Sequence, residues 1–166
     1  MPSVTPRTAF AAWIATGLGL TTKTPAPGTV GALWGVPLWL AVSQLPGYPL
    51  QLGTLLVLIG FGPLLCTRAA RQLVALGLAV DTKDPQAITY DEFTTVALVY
   101  AFAPAASGVW LVAGYALHRL FDITKPWPCW RLELLPEGWG VMADDVAAAI
   151  YAGICYRLLW GWLGGS

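Results

Sequence analysis

Two stretches without a single charged residue constrain this chain more than any other feature. Thr24–Thr67 and Phe93–Leu117 contain no Asp, Glu, Lys or Arg. About 20 apolar residues cross the hydrocarbon core of a bilayer, so the first stretch has room for two spans. The segment Leu45-Pro46-Gly47-Tyr48-Pro49 is the turn between them. The first span is expected from about Thr29 to Gln44, the second from about Leu50 past Arg68 and Arg71 toward Leu78. A polar loop, Asp81 to Pro85, follows, with Asp84 a candidate cap for the next helix. That helix carries Asp91 and Glu92 near its start. Pro104 and the Ala105-Ala106-Ser107-Gly108 run divide the second stretch into two antiparallel helices, the latter ending near Arg119 and Asp122. The last helix is expected to begin around Met142 to Asp145 and to run to about Leu163.

Composition supports a membrane setting. The chain is 57% hydrophobic and 11% charged, whereas soluble domains carry roughly 25% charged residues. Its nine Trp suit the membrane–water interface, Trp127, Trp130 and Trp139 among them. Net charge is zero and there is no block of Lys and Arg, which argues against nucleic acid as a partner. Cys66, Cys129 and Cys155 are far apart and show no metal or disulfide spacing. They read as small buried hydrophobes. The expected fold is all-α: a polytopic membrane bundle of about six helices, one domain over residues 1–166, with a polar site at one membrane face. The segment Thr8–Leu20 has no small-residue cleavage site after it, so a signal peptide is set aside. A tilted span, a re-entrant piece and an interfacial helix all remain open for it.

Alternating spans bring distant acids together. Each helix that leaves one face is answered by one that returns, so Gly28, Thr29, Asp91, Glu92, Asp122, Asp144 and Asp145 fall at the same face. Lys23, Arg68, Arg71, Lys83, Arg119, Lys125 and Arg131 share it, and Arg7 and Arg157 are left for the other side. Basic residues favour the cytoplasmic side, so the acidic face is expected to point inward.

Five carboxylates at one membrane edge raise each other's pKa unless a cation intervenes. Carboxylate oxygens suit Mg²⁺, which keeps positions for water and for phosphate. Asp91, Glu92, Asp122, Asp144 and Asp145 are therefore the candidate metal ligands, and Asp91, Glu92, Asp144 and Asp145 the candidate catalytic acids. Neighbours on a helix point about 100° apart, so one member of each adjacent pair can ligate while the other orients it or meets a second ion. The bland alternative is stabilisation of helix N-termini by acidic side chains. Lys23, Arg119 and Lys125 are candidate phosphate clamps. In Thr24-Pro25-Ala26-Pro27-Gly28-Thr29-Val30-Gly31, Gly28 and Thr29 offer backbone N–H groups and a hydroxyl at a helix start. His118, the only histidine, reads as a helix-end residue with little catalytic weight.

Missing motifs narrow the chemistry further. No cysteine stands in a Cys-phosphatase loop, a lone histidine cannot supply a histidine-nucleophile site, and there is no GxxxxGK[ST] loop. Asp81-Thr82-Lys83-Asp84 has the wrong spacing for an aspartyl nucleophile motif. Metal-assisted attack by an activated water or by a carboxylate remains. Two other classes use the same acids: an ion-coupled transporter or channel, and a non-catalytic scaffold stapled by a metal. Acids at helix ends rather than mid-span count against the transporter.

Four motifs in order resemble the phosphatidylglycerophosphatase A family. They are Thr24–Gly31, Asp91-Glu92, Phe121-Asp122-Ile123-Thr124-Lys125-Pro126-Trp127-Pro128, and Gly138-Trp139-Gly140-Val141-Met142-Ala143-Asp144-Asp145. The resemblance implies a helical, Mg²⁺-dependent enzyme that removes the terminal phosphate of phosphatidylglycerophosphate to leave phosphatidylglycerol. Taken together with the apolar composition and the basic residues at the acidic face, it gives a bacterial cytoplasmic membrane as the expected location, multi-pass, with the site facing the cytoplasm. It also implies that Asp91, Glu92, Asp122, Asp144 and Asp145 belong to the active site, with Arg119 and Lys125 nearby. Two departures stand out. Thr94 and Thr95 occupy a stretch where the family has a glycine, and the turn before Gly138 reads Pro136-Glu137.

Overall fold

A computed structural model describes residues 4–82, 85–103 and 107–163. Lys83, Asp84 and the Pro104-Ala105-Ala106 break lie outside the described residues. Among the described residues the fold is all-helical, without strands. In chain order the elements are α1 (Phe10–Ala15), a 3₁₀ turn (Thr21–Lys23), α2 (Pro27–Leu33), α3 (Gly35–Val42), α4 (Tyr48–Ala75), α5 (Tyr90–Tyr100), α6 (Gly108–Thr124), α7 (Cys129–Leu132) and α8 (Gly138–Leu163). The helices α2 and α3 form one apolar segment broken at Trp34, and α7 is a single turn. The expected bundle of about six helices is recovered once these are counted so.

Two helices have the length and composition to cross a membrane. They are α4, with 28 residues, and α8, with 26, or about 42 and 39 Å at 1.5 Å per residue. Only 28% and 33% of their most apolar windows are buried inside the protein. Val57, Phe61 and Leu64 of α4 and Ile154, Leu158 and Trp162 of α8 point outward. A soluble protein hides such a helix in its core; here the apolar faces look outward, as lipid requires.

Two of the remaining helices, α5 and α1, are shorter than the sequence suggested. At 11 residues, α5 rises only about 16 Å and cannot cross a bilayer alone. It is the central post of the bundle instead. Val96, Ala97, Val99 and Tyr100 are fully enclosed, packed among Trp39 of α3, Leu55 of α4, and Ala149, Ala152 and Tyr156 of α8. At six residues, α1 is too short to span. Its alanines pack against Leu65, Cys66, Ala69, Ala70 and Leu73 of α4, and Gln72 Oε1 accepts a hydrogen bond from the Ala12 N–H at 2.9 Å. This places α1 beside the C-terminal half of α4. Arg7 therefore joins the end of the bundle that holds the acids, not the opposite end as its sequence position suggested. Arg157 is then the one charged residue of the far end among the described residues.

The last helix begins earlier than expected, at Gly138. The reason is a close approach to α4. A Cβ on Gly138 would strike the Pro63 carbonyl oxygen and stand 2.8 Å from the Thr67 nitrogen. The Gly138 N–H instead donates to Thr67 Oγ1 at 3.2 Å, which satisfies one of the open donors at a helix start.

Candidate active site

Two helix termini and one helix interior supply the five predicted acids. The sequence puts Asp91 and Glu92 in the first turn of α5, where the positive end of the helix dipole favours them. Asp122 lies in the last turn of α6, where the dipole opposes a negative charge. Arg119, one turn earlier, offsets this: its Nη1 pairs with Asp122 Oδ2 and also with Glu92 Oε1 at 3.2 Å. One guanidinium thereby ties α6 to α5. Asp144 and Asp145 occupy the second turn of α8, since that helix starts at Gly138. Capping or first-turn dipole stabilisation thus cannot explain them.

All five predicted ligands line a single cavity of about 280 Å³. Pro27, Gly28, Gln86, Ile88, Lys125, Glu133 and Val141 complete its wall. The Asp91, Asp144 and Asp145 side chains are nearly enclosed, with those residues 7%, 6% and 3% exposed. Gly28 touches the acidic wall directly. A Cβ there would run into Glu92 Oε1 and lie 3.4 Å from Arg119 Nη2, so only glycine lets the start of α2 close against α5.

Lys125 owes its position to a left-handed turn. It follows the last residue of α6 with φ 40° and ψ 63°, a region L-residues enter at a cost. The turn sets its Nζ 2.8 Å from Asp144 Oδ2 and 3.1 Å from Glu133 Oε2. Burial works to lower the Lys125 pKa, but the hydrogen bond and charge of Asp144, joined by Glu133, outweigh it and raise the value. Lys125 therefore enters any reaction as a fixed cation and not as a base.

Other predicted residues fall elsewhere. Lys23 is exposed on the 3₁₀ turn and does not line the cavity. Thr29 is also exposed, and its carbonyl accepts from Tyr115 OH at 3.1 Å. Arg119 sits behind the carboxylates rather than on the cavity wall. Glu137, in the turn that departs from the family, bonds Arg71 at 3.0 Å on the surface and does not line the cavity. Glu133 does add one, and the sequence reading missed it. Its only signal was its place in the short connection from Lys125 to Asp144, and no spacing rule says that α7 folds it back.

The departure at Thr94 and Thr95 is absorbed by the helix. Thr94 Oγ1 donates to the Tyr90 carbonyl at 2.8 Å and Thr95 Oγ1 to the Asp91 carbonyl at 2.6 Å, the back-bonding habit of hydroxyls inside helices. With its proton so engaged, Thr95 Oγ1 accepts from His118 Nε2 at 2.9 Å. His118 is fully buried and braces α6 against α5. Cys129 is buried too, and burial pushes its thiol up, so it is a poor nucleophile.

The donor set fits a hard divalent cation. Six carboxylates line the cavity, faced by Lys125 and backed by Arg119. Asp144 Oδ1 and Asp145 Oδ2 are buried and have no hydrogen-bond partner among the described residues. Buried acceptors ordinarily find a partner. As the side chains stand, no three His, Cys, Asp or Glu among the described residues have metal-holding geometry. Mg²⁺ does not demand that: it keeps several waters and takes one or two carboxylates plus substrate oxygens.

The family described as Phosphatidylglycerophosphatase A matches residues 13–160. A Haemophilus influenzae protein named Phosphatidylglycerophosphatase A is 36% identical over 90% of this chain and 88% of its own length. An Escherichia coli protein of the same name is 33% identical over 90% of this chain and 83% of its own. A Bacteroides thetaiotaomicron protein, provisionally named a phosphatidylinositol-3-phosphatase, is 33% identical over 84% of this chain and 86% of its own. No solved structure matches the chain.

Proposed function

Because the chain belongs to the phosphatidylglycerophosphatase A family, we propose that it is a Mg²⁺-dependent membrane phosphatase that releases the terminal phosphate of phosphatidylglycerophosphate. The observation that carries this reading is the cavity itself: six carboxylates, two of them with buried, unpartnered oxygens, beside a lysine held in place. Asp144 and Asp145, with Asp91, Glu92 and Asp122, would hold the ion. A bound Mg²⁺ supplies Lewis-acid neutralisation of the phosphate and lowers the pKa of a water.

The chain's own residues do the rest. Arg119 fixes the Glu92 and Asp122 carboxylates through one guanidinium, holding α5 and α6 at the spacing the site needs. Lys125, on the cavity wall, offers a cation to a phosphate oxygen as charge grows on it. Asp144 or Asp145 accepts the proton of the attacking water. Lys125 already binds Asp144 Oδ2, while Asp145 Oδ2 is buried without a hydrogen-bond partner among the described residues, which leaves Asp145 the better-placed base.

The membrane placement follows from the same distribution. We read the chain as multi-pass in a bacterial cytoplasmic membrane, with α4 and α8 as full spans. The site end carries the acids and nearly all described basic residues, the far end Arg157 alone, so the site faces the cytoplasm. Both kinds of named relative would act on a phosphate monoester carried by a polyol headgroup, glycerol in one case and inositol in the other.

Phosphate release from phosphatidylglycerophosphate by the detergent-purified protein tests the reading. Release with Mg²⁺ and none with chelator is expected. No release at any Mg²⁺ concentration overturns it.

A further inference from the structure

Lys125 is shared between two carboxylates in unlike settings. Its Nζ lies 2.8 Å from Asp144 Oδ2 and 3.1 Å from Glu133 Oε2. The Asp144 side chain is 7% exposed and the Glu133 side chain 44%. Asp144 also offers Oδ1, buried and without a hydrogen-bond partner among the described residues, to a divalent ion. An ammonium and a divalent ion on one carboxylate repel each other. A lysine with Asp144 as its single partner therefore competes with the ion, and Glu133 gives it a second partner.

The fold places Glu133 with some care. It follows the fully buried Cys129 by one turn, and its N–H donates to the Cys129 carbonyl at 3.1 Å. Residues so spaced share a face, which turns Glu133 toward the cavity wall. Gly140 lets the connection fold back onto α8: a Cβ there would stand 2.5 Å from the Leu135 carbonyl oxygen and 2.7 Å from that of Glu133. An ammonium carries three donors. Asp144 and Glu133 take two, and the third serves a phosphate oxygen.

We propose that Glu133 is a positioning residue: it draws Lys125 off Asp144 when that carboxylate takes an ion, and keeps the ammonium at the cavity wall for the phosphate. This rests on the phosphatase reading and deepens it. Glu133 acts through Lys125 and needs to touch neither the ion nor the substrate.

A double-mutant cycle tests this, with Glu133→Gln and Lys125→Met made singly and together in the detergent-purified protein. Calorimetry reads the Mg²⁺ Kd without substrate, and phosphate release reads the rate. Alone, the isosteric Glu133→Gln should raise the Mg²⁺ Kd about tenfold, the scale of losing a partner that orients a metal ligand. In the Lys125→Met background it should change the Kd by no more than about twofold. No ammonium is left there to compete, and water and salt screen a carboxylate as exposed as Glu133. The rate should follow the same pattern, with Glu133→Gln lowering kcat only where Lys125 is present. A Kd raised equally in both backgrounds marks Glu133 as a direct ligand or a structural support and overturns the proposal, as does an unchanged Kd in the single variant. A parent that binds Mg²⁺ and releases no phosphate overturns the phosphatase reading instead, and the cycle of Kd values still decides whether Glu133 acts through Lys125.

Discussion

The two adjacent acidic pairs look alike in sequence and stand in different physical situations. Asp91-Glu92 occupies the first turn of α5, where the helix dipole welcomes negative charge and Arg119 bonds Glu92. Asp144-Asp145 lies a turn deeper in α8, where backbone N–H groups are already committed to the helix. Lys125 holds one oxygen of Asp144, while Asp144 Oδ1 and Asp145 Oδ2 have no hydrogen-bond partner among the described residues. The first pair has a structural reason to exist; the second costs stability where it stands. Acids kept at such a cost are the ones to expect at the centre of the chemistry.

The largest expected effect separates stability from turnover at the α8 pair. Asp144→Asn and Asp145→Asn should each cut phosphate release by about 10³-fold or more, the scale of losing a charged group at a reacting centre. Neutralising Asp145 should also leave the thermal midpoint in chelator unchanged or raised, because a buried charge without a partner is removed. A parent-like rate in both variants would remove α8 from the chemistry.

The α5 pair should show the opposite balance. Glu92→Gln takes one of two carboxylates from a mostly buried Arg119 and should lower stability by about 1–2 kcal/mol in a denaturation series, below the cost of fully unpairing a buried ion. Its turnover should fall less than that of the α8 variants. If Glu92→Gln is stable and inactive while Asp145→Asn is unstable and active, the contrast between the pairs is reversed.

Lys125→Met is the intermediate case. It removes the cation that both holds Asp144 and faces the cavity, so kcat should fall by about 10- to 100-fold. The Mg²⁺ concentration for half-maximal rate should fall with it, since Asp144 Oδ2 is released and negative charge is gained. A rise in that concentration would show that Lys125 organises the ligand set rather than competing with the ion. The smallest effect is expected at Glu137→Gln. Its ion pair with Arg71 is solvent-exposed, and surface pairs are worth about 0–1 kcal/mol. Activity and thermal midpoint should match the parent.

The charge-free stretches announced helices and a membrane, because bilayer-length apolar runs leave few other folds. The alternation of those helices was enough to gather Asp91, Glu92, Asp122, Asp144 and Asp145, residues far apart in the chain. Periodicity and charge were silent on how far each helix runs. The short α5 and the early start of α8 depend on partners: α5 is enclosed by α3, α4 and α8, and Gly138 docks on the Pro63 carbonyl. Lys23 was named as a phosphate clamp for its charge and Thr29 for its hydroxyl at a helix start, and the fold presents both to solvent instead.

The sequence by itself determined the class of fold, five of the six acids that line the cavity, and the family, since these rest on hydropathy, charge and motif order along one dimension. Only the tertiary structure decided that Lys125 turns left-handed into the cavity, that Glu133 is folded back beside it, and that two carboxylate oxygens in α8 are buried without a partner. Those outcomes depend on which surfaces meet when the helices pack, and burial and pairing of a charge are properties of that packing rather than of any local run of residues.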